Sequence, residues 1–268
     1  MHYTRDDWDA MFKLVLGERL PGRPPQGVRE QSAIQNYKIG SRRDYRGWVL
    51  HYGRVSVAIP SITGKYRLAG SLTPILAANE ILLTVAAAAG QKLVTIPDAV
   101  HGENYYQNGT IECWPTGGGT FEFHRIMSST ASNRVTVTLT LEDNLDNALA
   151  IGDMVAPMPS PYYAVGPMGA VYAGRQQAIG LPLIPVTENY YAWFITYGEV
   201  FLSCQGGGWP EDAVSCMDVF AWQDGTVAHL GAWGAGTYDG AGTSPQRVGY
   251  ALYSGDYGTG RIMLQLDP

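Results

Sequence analysis

Along most of the chain from Trp48 to Leu266, apolar residues recur at every second position between glycine-rich turns. That is the period of half-buried β-strands. The clearest case is Arg134–Leu141, where Val135, Val137, Leu139 and Leu141 face one way and Thr136, Thr138 and Thr140 the other. Such alternation marks an antiparallel sheet with one buried face. Trp48–Gly53 and Arg54–Ile59 read as strands, the second with Val55, Val57 and Ile59 on one side. Gly109–Trp114 and Thr120–Ile126 flank the turn Pro115–Gly119 and predict a hairpin. Further strands are predicted at Tyr191–Thr196, Glu199–Cys204, Met217–Trp222, Val227–Trp233, Val248–Tyr253 and Gly260–Leu266, and one helical turn at Leu145–Gly152.

The start of the chain has another period. Thr4 is placed to cap a short helix, Asp7 stands where a capping-box acid belongs, and Trp8, Met11, Phe12 and Val15 share a face up to Gly17. Periodicity then disappears over residues 17–47, which hold the extended run Leu20–Gly27 and the charged run Ser41–Arg46. So long an irregular connection is uncommon inside a compact domain. It predicts an arm ordered by lying across a partner, with a strap on the chain's own body as the other reading. Pro157, Pro159 and Pro161 interrupt the pattern near residue 160 and predict a domain boundary there. The expected fold is all-β: two antiparallel β-sandwich or barrel-like domains, 51–160 and 161–268, preceded by an extended N-terminal arm, 1–50, carrying one short helix.

Composition agrees with a turn-rich, folded β protein. Hydrophobic residues make up 46% and charged residues 16%, the reverse of a disordered chain, and there are 33 glycines and 17 tyrosines. No apolar run approaches the roughly 20 residues of a membrane helix, the longest candidate being Ile81–Ala89. Nor does Met1–Asp7 lead into the apolar stretch of a signal peptide, so synthesis in a cytoplasm is expected. Charge is uneven. Residues 1–54 carry 10 Lys/Arg against 6 Asp/Glu, and residues 55–268 carry 8 against 18. A basic start on an acidic body suits docking on an acidic partner or on nucleic acid, or simply the solubility of an exposed segment.

Cys113, Cys204 and Cys216 have neither zinc-site nor CxxC spacing, and their odd number points to free, buried thiols, with a Cys204–Cys216 bridge around Gly206–Gly208 as the other reading. There is no GxSxG elbow and no HExxH, and Gly64-Lys65 lacks the upstream glycine of a phosphate loop. Carboxylates bear on the glycosidase possibility, because two suffice. Glu112 and Glu122 alternate with Ile111, Phe121 and Phe123, which places them on the solvated face of a hairpin; Glu142, Asp143 and Asp146 fall in a rim turn. His101, Glu103 and His124 are the one set that would offer three metal ligands, at poor spacing. No cofactor, metal or catalytic residue is expected. Tyr105, Tyr106, Tyr190, Tyr191 and Trp193 are aromatics able to stack on sugars or protein, although core packing accounts for most aromatics in a β protein, and Trp193 is expected in the core.

Tyr190–Val200 resembles the aromatic "tyrosine–glycine–tryptophan–valine…glycine" strand pair of head-associated proteins of tailed bacteriophages, in which a strand enters, turns at glycine and returns. Val248–Gly255 through Arg261–Leu266 is similar to their closing hairpin, and Val94–Ala99 through Val135–Leu141 to their upstream β domain. The resemblance covers roughly residues 90–268, and it departs from the pattern at Tyr191-Ala192-Trp193, where glycine would precede tryptophan. It implies a capsid decoration (cement) protein or a related virion structural component. Expected partners are the major capsid protein and further copies of the chain around a capsid symmetry axis, with no membrane and no direct nucleic-acid contact. Trp8, Phe12, Arg42, Arg43, Arg46, Tyr105 and Tyr106 are the candidate contact residues. The alternative is a carbohydrate- or receptor-binding head module of a virion. A tailed-phage coat protein is not expected, because that fold needs a long spine helix.

Overall fold

The computed structural model describes residues 19–60, 67–72, 80–116, 120–168, 177–204, 218–222, 224–228, 246–254 and 259–266. The fold is all-β, with two antiparallel sheets that form a half-barrel and a nearly closed barrel, and no helix among the described residues. The helix expected at Thr4–Leu16 lies outside them. The strands are β1 (Arg42–Tyr45), β2 (Trp48–Arg54), β3 (Ala69–Ser71), β4 (Ile81–Leu82), β5 (Leu93–Pro97), β6 (Thr110–Trp114), β7 (Glu122–Ser129) and β8 (Thr136–Leu141). They continue with β9 (Met154–Met158), β10 (Val165–Pro167), β11 (Ala178–Pro182), β12 (Tyr191–Ser203), β13 (Asp218–Ala221), β14 (Val227–Ala228), β15 (Arg247–Ser254) and β16 (Thr259–Gln265).

The chain divides into two compact units, and they are nested. Unit 1 joins Met1–Leu72 to Ala164–Pro268, and unit 2 is the intervening Thr73–Tyr163. This replaces the expected serial division into 1–50, 51–160 and 161–268. The late boundary falls close to the expected one, but the chain beyond it returns to the sheet begun before residue 73. There β12 pairs with β2 from Tyr191↔Arg54 to Tyr197↔Val49, and β10 pairs with β3 at Val165↔Ser71.

In unit 1 the ladder order is β10-β3-β11-β12-β16-β15-β13-β14, with β2 on β12 and β1 on β2. The expected strands Tyr191–Thr196 and Glu199–Cys204 are one 13-residue strand, and no turn occurs at Gly198. A register shift between Ile195 and Tyr197 bends it instead. Gly198 sits at φ +117°, and a Cβ there would fall 2.6 Å from Cδ1 of Trp48. The glycine therefore lets Trp48 lie across the strand and donate from Nε1 to the Glu199 carbonyl at 2.8 Å.

Trp193, Phe194 and Ile195 are consecutive and all fully buried, so both faces of this part of β12 are covered. One cover is the stretch expected as a free arm. Ser32 and Tyr191 exchange backbone hydrogen bonds, Gly40 donates to Tyr52, and Tyr52 donates to Ser41. Tyr37, Tyr52 and Trp193 then meet edge to face, with centroids 4.9–5.2 Å apart. Residues 19–41 are thus an internal strap, and the arm reading is corrected for them. Arg54–Ile59 is corrected as well: beyond Arg54 the described residues form only the isolated bridges Val55↔Val165 and Ile59↔Val186.

Unit 2 has the order β4-β9-β6-β7-β8-β5, and β4 and β5 lie beside each other so that the sheet nearly closes. Its core includes Val94, Ile96, Ile111, Cys113, Ile126, Val137, Leu139, Leu141 and Val155. Strand β8 follows its predicted alternation, burying Val137, Leu139 and Leu141. Strand β7 has the opposite phase to the one expected. Glu122, His124 and Ile126 point in, while Phe123, Arg125 and Met127 point out. Leu145–Gly152 is no helical turn; Leu145 and Leu149 are buried, and Leu149 bridges Ala87. The proline-rich segment supplies a strand, β9. Its Pro157 lies past the two residues paired with β4, on a stretch with no ladder on that side among the described residues.

Trp193→Ala removes the centre of the aromatic cluster. The expected loss is about 3–5 kcal/mol of stability, read as a lower melting temperature and denaturant midpoint of the isolated chain. An unchanged midpoint would show that the cluster does not hold the sheet.

Candidate functional site

The mouth of the unit 2 barrel holds a concentrated set of polar and aromatic side chains. Among the described residues β4 is two residues long and lies next to β5 at the seam of the barrel. A cavity of about 210 Å³ lies there, lined by Ile81, Pro97, Asp98, His101, Tyr105, Tyr106, Pro157 and Pro159. Asp98 follows β5 directly and organises the loop that comes after it. Its Oδ1 accepts the backbone N–H groups of Val100 (3.0 Å) and His101 (3.2 Å). Its Oδ2 accepts from Tyr106 Oη (3.0 Å) and lies 2.7 Å from His101 Nδ1. Ser132 clasps the same loop, Oγ donating to the Asp98 carbonyl and N–H to the His101 carbonyl.

Burial works to raise the Asp98 pKa, but the hydrogen bonds from Val100, His101 and Tyr106 outweigh it and hold the carboxyl below its ordinary range. An ionised carboxylate only accepts, so Nδ1 of His101 carries a proton toward Asp98. Tyr105 stacks on the imidazole at 3.6 Å and 20°. Tyr106 and Tyr163 meet Tyr105 edge-on at 4.7 and 4.6 Å. Burial, then the charge of Asp98, pushes the Tyr106 hydroxyl far up, and it stays a proton donor.

A second buried carboxylate belongs to β7. Glu122 Oε2 accepts from the Asp146 N–H (3.1 Å) and pairs with His124 Nε2 (2.8 Å). Its Oε1 accepts from the N–H and Nδ2 of Asn147, both at 2.6 Å. These donors reverse the strand's expected phase: a carboxylate with four partners is better placed inside than two phenylalanines that lack a cavity. Desolvation would raise the Glu122 pKa, yet the His124 and Asn147 hydrogen bonds lower it overall. Facing it in register, the buried Cys113 thiol is pushed up to about 12 by burial and then by the Glu122 charge, which leaves it protonated and unreactive. The solvated-face reading of Glu122 is therefore corrected. Glu112, on the opposite face and paired with Phe123, remains half-exposed.

Strand β7 turns its aromatics outward as a consequence. Phe121, Phe123 and Met127 are 53, 57 and 45% exposed, and the Trp114 ring lies 5.5 Å from Phe121. Cross-strand pairs put Met154 beside Trp114, and Arg125 beside Thr110, on this face. An apolar strip of this kind, with Glu112 and Arg125 in it, has the make-up of a contact surface.

Of the contact residues proposed from sequence, Tyr105 and Tyr106 come together at the barrel mouth. Trp8 and Phe12 lie outside the described residues. Arg43 is turned inward: Nη1 donates to the Gln26 carbonyl at 3.0 Å and its guanidinium lies 5.6 Å from the Trp193 ring centroid. It braces the strap. Arg42 and Arg46 are exposed, Arg42 near Asp44 and Arg46 over Tyr45. The potential metal set is split, His101 going to Asp98 and His124 to Glu122, and no group of three metal-binding side chains occurs among the described residues. Asp98 and the outward face of β7 were missed. The spacing of Asp98 and His101, with two aromatics behind, was the available signal for the first.

Glu122→Gln swaps an acceptor for a group that presents a donor to a donor. At neutral pH it is expected to cost about 1–3 kcal/mol. Because the folded pKa of Glu122 is lowered, its contribution is complete above the ordinary glutamate range and disappears as the pH falls through the folded value. Denaturation of both proteins across acid pH should show their gap closing toward low pH. A gap independent of pH would place the effect in packing.

Comparison with known proteins finds no matching family model, no matching curated protein and no matching solved structure.

Proposed function

We propose that the protein is a structural virion component that binds the exterior of a tailed-phage capsid and bridges or stabilises coat subunits. The observation that carries this reading is the outward strip of Trp114, Phe121, Phe123 and Met127 on a barrel whose own core is already filled. Large aromatics exposed on a rigid sheet, with charges beside them, are what a protein-binding face uses as anchors. The resemblance of residues 90–268 to head-associated proteins directs that face to the major capsid protein, and copies related by a capsid symmetry axis add avidity. Binding the assembled lattice better than the free coat subunit then stabilises the shell by mass action. The protein turns over no substrate in this role.

The test is co-sedimentation of the purified chain with undecorated capsids, backed by cryo-electron microscopy of the decorated particle. A Phe121→Ser, Phe123→Ser double variant should keep the parent melting temperature. It should lose about 2 kcal/mol or more of binding, roughly 30-fold in Kd. Failure of the parent chain to sediment with capsids would overturn the reading. Equal binding by the double variant would move the interface off this face.

A further inference from the structure

We infer that the open mouth of the unit 2 barrel is a binding site for a single neutral, hydroxyl-bearing ring, the terminal sugar of a glycan. The inference is independent of capsid attachment. Size sets the first limit. At about 210 Å³ the cavity falls below the 300–1,000 Å³ typical of sites for larger ligands and takes one ring.

The polar groups set the second. Asp98 is 5% exposed and its two oxygens already accept four donors, so it offers no free lone pair to a bound cation. Its negative charge disfavours an anion at the same place. A neutral ligand is left. His101 is the member of the pair that ligand reaches, its side chain 33% exposed, with Nε2 as the ring nitrogen not engaged by Asp98. Tyr105 adds a hydroxyl that makes no hydrogen bond within the described residues and is able both to donate and to accept. Two such groups lining one cavity match the several hydroxyls of a sugar better than the single hydroxyl of a phenol.

The walls fit the remaining faces of such a ring. Ile81, Pro97, Pro157 and Pro159 present C–H surface to the apolar side of a pyranose. The four donors on Asp98 and the Tyr105 stack hold the imidazole in one orientation before a ligand arrives, so little is lost in ordering it. Tyr105 is itself braced by Tyr106 and Tyr163. Its ring serves as a wall that supports His101, and its hydroxyl is the part that recognises.

Saturation-transfer NMR on the intact chain tests this, with glucose, galactose, rhamnose and N-acetylglucosamine as separate probes. At least one sugar should receive saturation from the parent protein. His101→Phe keeps a ring against Tyr105 but removes Nε2, and Tyr105→Phe removes only the hydroxyl. Each should weaken binding roughly five- to tenfold, with an unchanged amide spectrum for Tyr105→Phe. Absence of transfer to all four sugars would overturn the inference, as would binding that neither variant alters. N-acetyltyrosinamide bound at His101 with no sugar binding would overturn it too, making the cavity an anchor for a peptide side chain. None of these outcomes depends on whether the chain sediments with capsids.

Discussion

The ten-stranded sheet depends on keeping both faces of β12 dry where Trp193, Phe194 and Ile195 follow one another. A strand with one solvated face has no use for three large apolar residues in a row, so this stretch needs a cover on each side. The strap supplies one, and it brings polar groups with it. Gln26 gathers hydrogen bonds from Asn36 and Tyr52 and donates to the Tyr191 carbonyl, so that a buried amide ties the strap to two strands at once. The arrangement is not free of cost. Trp193 Nε1, Asn36 Oδ1 and Arg43 Nε are buried without a hydrogen-bond partner among the described residues, each a penalty of about 1–3 kcal/mol. Burial of the three aromatic rings is the larger effect, and it offsets these losses.

What could be seen in the sequence was whatever a local pattern decides. The threonine–aliphatic alternation of β8 has one sensible phase, and it is the phase adopted. Strand β7 had two, because Phe121 and Phe123 alternate with Glu122 and His124. The choice between them depends on Asp146 and Asn147, more than twenty residues away, whose donors make the inside acceptable to a carboxylate. Gly198 looked like a turn because glycine usually marks one. Its actual partner is Trp48, a contact that a window of neighbouring residues does not contain. Nesting was invisible for the same reason: strand periodicity says that β2 and β12 exist, and nothing about their pairing.

The barrel mouth was half legible. Tyr105 and Tyr106 stood out as aromatics, and His101 as a ligand type. Asp98 did not, since an acid after a strand is ordinary until its four donors are counted. Prolines 157 and 159, read as interruptions, turn out to line a cavity. Both sites share one physical device. In each a buried carboxylate is kept ionised by hydrogen bonds from a loop, and the loop is thereby held in a single shape.

Nesting also imposes a timetable on synthesis. Every described strand of unit 2 has been synthesised once residue 163 is made, and its longest pairings join β4 to β9. The half-barrel begins earlier in the chain yet finishes later. Strand β2 is made by Arg54 and must wait for β12, whose first residue is Tyr191. In the interval the nascent chain carries Leu50 and Tyr52 without β12. Long-range pairings of this sort are slow and leave apolar strand surface open to other chains. The vulnerable species during production is thus the half-made host sheet, and a nascent chain arrested after unit 2 has emerged but before β12 has would be the one most in need of a chaperone.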